Sequence, residues 1–162
     1  LNQKAIARQF AKSRDVKYED MNLIVAHLGG GVSVGAHYHG KVIDVNNGLD
    51  GDGPFSPERT GGLPSGQLAA LCFSGKYTHN EVKKMITGKG GLMSYFGTNS
   101  SYEVELKAKD GDEQAQLIQD AMAYQMIRVH CRKIIVNVWK VGDISKPSFT
   151  FDLLVLMSWC HF

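Results

Sequence analysis

Six residues, Leu23-Ile24-Val25-Ala26-His27-Leu28, form a nearly unbroken apolar run that stops at three consecutive glycines. Its shortness, its β-branched content and its bounds at Asn22 and Gly29 predict a strand buried on both faces. Beyond the glycines, Val32, Val34 and Ala36 alternate with Ser33, Gly35 and His37, which predicts a second strand with one face inward. His39-Gly40-Lys41 reads as a turn, and Val42, Ile43 and Val45 as a third strand. Three short strands joined by tight turns make a β-meander.

Glycine supplies 18 of the 162 residues, most of them between Gly29 and Gly97. No internal repeat explains this, so the glycines are positional: each is expected where the backbone needs positive φ or lies close to something else. The stretch from Asn46 to Gly66 is the extreme case, with six glycines and three prolines around Asp50, Asp52, Glu58 and Arg59. Loops of that length are uncommon inside a compact domain; a functional loop is one usual reason, and a surface linker fits the composition equally.

Helices are expected on either side. Residues 1–15 place Ala5, Ile6, Gln9 and Phe10 at helical spacing. Gln67–Phe73 is a short apolar helix that Gly75 could cap. Thr78-His79-Asn80-Glu81 has the form of a capping box, and Ser100-Ser101-Tyr102-Glu103 offers a second. Over residues 112–130, Ala115, Ile118, Ala121, Met122, Gln125 and Met126 form a stripe suited to burial. Met85, Met93, Met122 and Met126 read as core filler.

Composition excludes several classes of function. With 43% apolar residues the chain can bury one core of ordinary size. A net charge of +2 with scattered lysines and arginines offers no field for nucleic acid or a membrane surface. Leu153–Met157, the longest late apolar run, is far short of the roughly 20 residues that a bilayer requires. Cys72, Cys131 and Cys160 lack the spacing of a disulfide framework or a zinc site, and no secretory leader is visible. A soluble protein of the reducing cytoplasm is expected.

The chemistry centres on Gly29-Gly30-Gly31. Without Cβ atoms in the way, successive amides in such a turn can converge on an anion such as a phosphate, and Ser33 could add a hydroxyl. The same residues also suit a hairpin that merely turns tightly. A Walker A loop is absent, and the glycines lead into a strand, so this is not a dinucleotide-binding turn either. Arg59 follows Glu58 in Ser56-Pro57-Glu58-Arg59-Thr60-Gly61-Gly62, where proline and glycine restrict the backbone. Its planar fork of donors suits a phosphoryl group, although an ordinary ion pair with Glu58 or Asp52 fits the sequence too. His37 and His39 would share a strand face, but no third metal ligand lies nearby. Cys131 beside His130 would point away from it on a helix.

The segments HLGGGVSVGAH, VIDVNNGLDGDGPFSPERTGGLPSGQL and GKGGLMSYFGTN closely resemble the butyrate kinases of the acetate/butyrate kinase family. The resemblance runs from Leu1 to about Gln125. It implies an α/β fold in which the β-meander and following helices form part of an actin-like, ribonuclease H-like ATPase domain, truncated at both ends. The implied activity is a phosphotransferase with a carboxyl acceptor, making butyryl phosphate from butyrate with ATP and Mg²⁺. By the resemblance, His27, Leu28, Gly29, Gly30 and Gly31 match the segment that binds the ATP phosphates. Arg59 matches the arginine that stabilises the transferring phosphoryl group. The resemblance also implies a homo-oligomer for the whole enzyme. Another short-chain acid, or a catalytically inactive nucleotide-binding chain, are the alternative readings.

The chain departs from the family where Ser100-Ser101-Tyr102 replaces a usual Asp-x-Arg after the GTN, removing both charges. Active-site residues on a preceding domain, the later adenine-binding segment and a final metal-associated glutamate are not in this sequence. Residues 1–126 therefore read as part of a C-terminal ATPase domain. Residues 127–162 read as a divergent tail whose composition fits translation out of frame, leaving Ile134–Trp139 and Leu153–Trp159 as exposed apolar segments.

Overall fold

A computed structural model describes residues 2–141 and 152–157, with side chains through residue 129. The described chain divides into a sheet unit of residues 2–28, 33–46, 127–141 and 152–157, and a helical unit of residues 29–32 and 47–126.

In the sheet unit, helix α1 (Asn2–Ser13) precedes strands β1 (Asn22–Leu28), β2 (Val32–Tyr38) and β3 (Lys41–Val45). The sheet order is β3-β2-β1-β4, with β4 (Asp152–Met157) parallel to β1. The meander is as expected. Leu23, Ile24 and Val25 are consecutive and all buried, the signature of a strand covered on both faces. Residues 153–157 lie on β4, whereas the exposure of their side chains and residues 158–159 fall outside the described residues.

Two expectations change here. α1 buries Ala7 and Ala11, with Phe10 packed alongside, rather than a stripe through Ala5 and Gln9. Small alanine side chains let the helix backbone come close to Tyr18, Met21, Leu23 and Val25 in the same cluster. The alternation on β2 also fails at its end. Gly35, Ala36 and His37 are buried in succession, and the β2–β3 register slips between Ala36 and His37.

The helical unit begins with the loop after Asn46 and continues through α2 (Ser65–Cys72), α3 (His79–Ile86), α4 (Leu92–Phe96) and α5 (Ser101–Lys109) into α6 (Glu113–Val141). Its core is Phe55, Leu92, Val104, Ala115 and Ile118, flanked by Phe96, Ala108, Ala121 and Met122. Gln125 uses its side-chain oxygen to accept from the Phe55 amide at 2.9 Å. The Thr78–Glu81 capping box is complete, whereas at Ser100 only the half in which its hydroxyl accepts from the Glu103 amide is formed. Met85, Met93, Met122 and Met126 are half-buried rather than core filler, and of them Met122 packs against this core. α2 buries none of its residues, and Phe73 at its end is 91% exposed. Residues 134–139 continue α6, their side chains lying outside the described residues.

Candidate functional site

Strand β1 delivers the chain to the glycine turn. Within the turn, the Gly29 amide donates to the Gly31 carbonyl at 3.1 Å. One of the three amides expected to face an anion is therefore engaged internally. The amides of Gly30 and Gly31 donate to no carbonyl among the described residues. Neither Gly30 nor Gly31 has positive φ, and close approach of backbone favours glycine at Gly31. A Cβ on Gly31 would stand 3.0 Å from the Gly48 carbonyl oxygen, and one on Gly30 would stand 3.4 Å from Glu58 Oε2.

The loop carrying Arg59 is bonded directly to this turn. The Gly30 carbonyl accepts from the Ser56 hydroxyl at 2.7 Å and from the Glu58 amide at 3.1 Å. Ser56 is fully buried. On another side, the Thr60 amide donates to Ile86 at 3.1 Å, and Arg59 and Thr87 form an isolated antiparallel bridge. The first amides of α4 complete the attachment, with Leu92 and Met93 donating to the carbonyls of Ser56 and Pro57 at 3.3 and 3.1 Å. Gly91, at φ +61, makes this possible, because a Cβ there would overlap the Ser56 carbonyl. The loop is thus fastened at three places, and the Arg59 backbone has little freedom.

The Arg59 side chain is 20% exposed, and its Nη1 lies 3.3 Å from Glu58 Oε2. Its Cγ lies 3.8 Å from the position a Gly31 Cβ would take, so the guanidinium stem runs along the glycine turn. Arg59 Nε is buried without a hydrogen-bond partner. A buried donor left unsatisfied costs roughly 1–3 kcal/mol, and an anion binding beside it would remove that cost. The Glu58 ion pair is real, as the alternative reading of the sequence expected, but it engages only one edge of the fork. Glu58 Oε1 also accepts from Asn99 Nδ2 at 2.6 Å, across 41 residues of sequence.

The structure therefore brings Gly29, Gly30, Gly31 and Arg59 together. His27 and Leu28 are placed on β1, half-buried, in the sheet unit. Ser33 lies in the sheet unit, where its hydroxyl accepts from Gln3 Nε2 at 3.0 Å. The two histidines do not pair on one face. His37 is buried between Tyr18, whose hydroxyl donates to Nδ1 at 2.7 Å, and Gln3, whose Oε1 accepts from Nε2 at 3.2 Å. His39 has φ 45 in the β2–β3 turn, and its Nδ1 donates to the Glu19 carbonyl at 2.8 Å. Burial and, secondarily, the Lys4 cation push the His37 imidazole down to about 4.

Among the described residues no group of three or more His, Cys, Asp or Glu could hold a metal ion. The residues that sequence reasoning missed are Asn99 and Ser56. Asn99 carries a signal only as part of GTN, and Ser56 only as a hydroxyl beside proline. Both matter through partners distant in sequence.

The chain matches the model of the acetokinase family over residues 2–141. It belongs to the acetokinase family. The match extends past residue 126. Butyrate kinase 2 of Clostridium acetobutylicum is 59% identical over 128 residues, covering 79% of this chain and 36% of that protein. The chain thus spans about a third of the length of this family relative. Among solved structures, a propionate kinase from Francisella tularensis superposes with a TM-score of 0.73 at 29% identity, covering 82% of this chain and 34% of that one. An acetate kinase from Porphyromonas gingivalis superposes with a TM-score of 0.74 at 23% identity, covering 81% of this chain and 33% of that one. The fold is accordingly that part of the actin-like ATPase architecture of acetokinases in which a meander is followed by helices. No helix among the described residues is long and apolar enough to cross a membrane.

Proposed function

We propose that the protein carrying this chain is an ATP-dependent carboxylate kinase that forms an acyl phosphate by direct transfer. The observation that carries this reading is the bonding of the glycine turn to the Arg59 loop, which sets two free amides beside an arginine with an unsatisfied buried Nε–H. A polyanion is the ligand that such donors recognise.

In this reading a carboxylate oxygen of the substrate attacks the γ-phosphorus, and the bond from that phosphorus to the bridging oxygen breaks. ADP leaves with the electron pair. The Gly30 and Gly31 amides hold nucleotide phosphate oxygens, and Arg59 offsets charge on the transferring group. His27 and Leu28 serve by placing the turn at the end of β1. No acidic cage for Mg²⁺ exists among the described residues, so the ion would arrive on the nucleotide phosphates, whose charge it neutralises. Butyrate is the preferred acid in this proposal because the 59%-identical relative is a butyrate kinase. A cytoplasmic homo-oligomer is part of the same reading.

Nucleotide binding without turnover is the second reading. It is favoured by the Ser100–Tyr102 segment, where Ser100 caps α5 and Tyr102 is 54% exposed, with no charge on either. Incubation with ATP, butyrate and hydroxylamine distinguishes the two. Butyryl hydroxamate in amounts that scale with protein supports the kinase. ATP binding with no hydroxamate supports the second reading, and neither signal would contradict both.

A further inference from the structure

Glu58 touches every part of the candidate site. Its amide donates to the Gly30 carbonyl at 3.1 Å, its Oε2 lies 3.3 Å from Arg59 Nη1, and its Oε1 accepts from Asn99 Nδ2 at 2.6 Å. The carboxylate is 33% exposed, so it is neither a solvated surface acid nor a buried core group. Both oxygens are engaged, each by a residue from a different segment. Adjacent residues in an extended loop ordinarily send their side chains apart, and the inward turn of both Glu58 and Arg59 is what the Asn99 bond and the bridge at Thr87 hold in place.

We propose that Glu58 is the positioning residue of Arg59: anchored by Asn99 on one oxygen, it uses the other to fix the guanidinium against the Gly29–Gly31 turn. The proposal rests on the reading of that turn and Arg59 as a phosphate site. An arginine on a flexible stem carries rotamer entropy, which binding must overcome unless the fork is already oriented. With Nη1 held by Glu58, the rest of the fork is directed before any ligand arrives. Asn99 then acts at one remove, through Glu58. This gives the asparagine of the GTN segment a task that its own distance in sequence from Arg59 would conceal. A competing role is also chemically open to a carboxylate here, since Glu58 would repel a phosphate that came as near Gly30 as it does. The two roles predict opposite changes in affinity.

The test uses the full chain and its Glu58→Ala, Asn99→Ala, Arg59→Ala and Glu58→Ala/Arg59→Ala variants, with unaltered thermal unfolding as the control for folding. The first readout is the ¹⁵Nε–H resonance of Arg59, which should be sharp and slow to exchange in the parent chain. It should broaden or vanish in both Glu58→Ala and Asn99→Ala. An unchanged resonance in Glu58→Ala overturns the positioning role whatever the ligand. The second readout is ATP affinity by calorimetry. Glu58→Ala should weaken ATP binding about 5- to 10-fold, with no further loss when added to Arg59→Ala. Tighter ATP binding in Glu58→Ala, or an equal loss with and without Arg59, overturns the proposal. If Arg59→Ala leaves ATP affinity unchanged while the resonance still responds to Glu58, the phosphate reading fails and the positioning role stands.

Discussion

His37 on β2 and Arg59 in the helical unit are both ionisable side chains drawn inward, and they end in opposite conditions. His37 has a partner on each ring nitrogen, from Tyr18 and Gln3, and is fully buried. Among the described residues the Arg59 side chain has one partner, Glu58, and keeps a buried Nε–H with none. A polar group whose every bond is made inside the fold contributes to specifying that fold. One that is held in place yet left unsatisfied is prepared for something the fold does not contain. The difference separates structural from functional polarity within 162 residues.

The comparison breaks most visibly at Arg59. In the protein carrying this chain, Arg59→Ala should lower acyl phosphate formation by about 10³–10⁵, the range found for arginines that stabilise transferring phosphoryl groups. Its thermal unfolding should barely move, since the ion pair lost is partly exposed and worth at most ~1 kcal/mol. Substantial activity in that variant would remove Arg59 from the chemistry. At His37 the pattern should invert. His37→Ala leaves the Tyr18 hydroxyl and Gln3 Oε1 without their partner and should cost on the order of 3 kcal/mol in urea unfolding, with ATP affinity unchanged.

The same contrast has a pH signature. His37 resists protonation in the folded chain, at about 4 against 6.5 for the exposed group. Above pH 6.5 both states are neutral and the full stability is present. As pH falls from 6.5 toward 4, the unfolded chain takes up a proton that the folded chain refuses, so stability drops by on the order of 2 kcal/mol. Below about 4 this contribution is gone. Urea midpoints across that range should show the slope in the parent chain and a shallower one in His37→Gln. Smallest of all should be the capping effects. Thr78→Ala, which removes a complete box, should cost about 1 kcal/mol, and Ser100→Ala, with half a box, less than that.

Some elements of both units were legible in the sequence because their information is local. The run Leu23–Leu28 carries its own bounds, and the spacing from Thr78 to Glu81 is itself the capping geometry. Where tertiary packing decided, local pattern misled. On α1 the helical spacing picks out Ala5, Ile6, Gln9 and Phe10, whereas the contact is made by Ala7 and Ala11, whose value is their small size. On β2 the alternation ends at Gly35, so His37 is buried although the pattern placed it on the other face.

The site was legible only in part, and for a physical reason. Gly29–Gly31 and Arg59 stood out as residue types suited to phosphate, and the family segments joined them. Their actual connection runs through main-chain groups, the Gly30 carbonyl to Ser56 and Glu58, which no side-chain pattern encodes. Gly91 and Gly48 are glycine because a neighbouring backbone occupies the space of a Cβ, and those neighbours lie far away in sequence. Asn99 reaches Glu58 across 41 residues. The glycine count announced close approaches without saying what approached.

The central claim is that the free amides of the glycine turn and the Arg59 side chain form one anion site. Titration of the ¹⁵N-labelled chain with ATP tests it directly through the backbone amides. Gly30 and Gly31 should shift together with Arg59 Nε and saturate at one concentration, while the internally bonded Gly29 amide and the His37 ring stay nearly still. Saturable ATP binding that leaves Gly30, Gly31 and Arg59 unmoved would contradict the account.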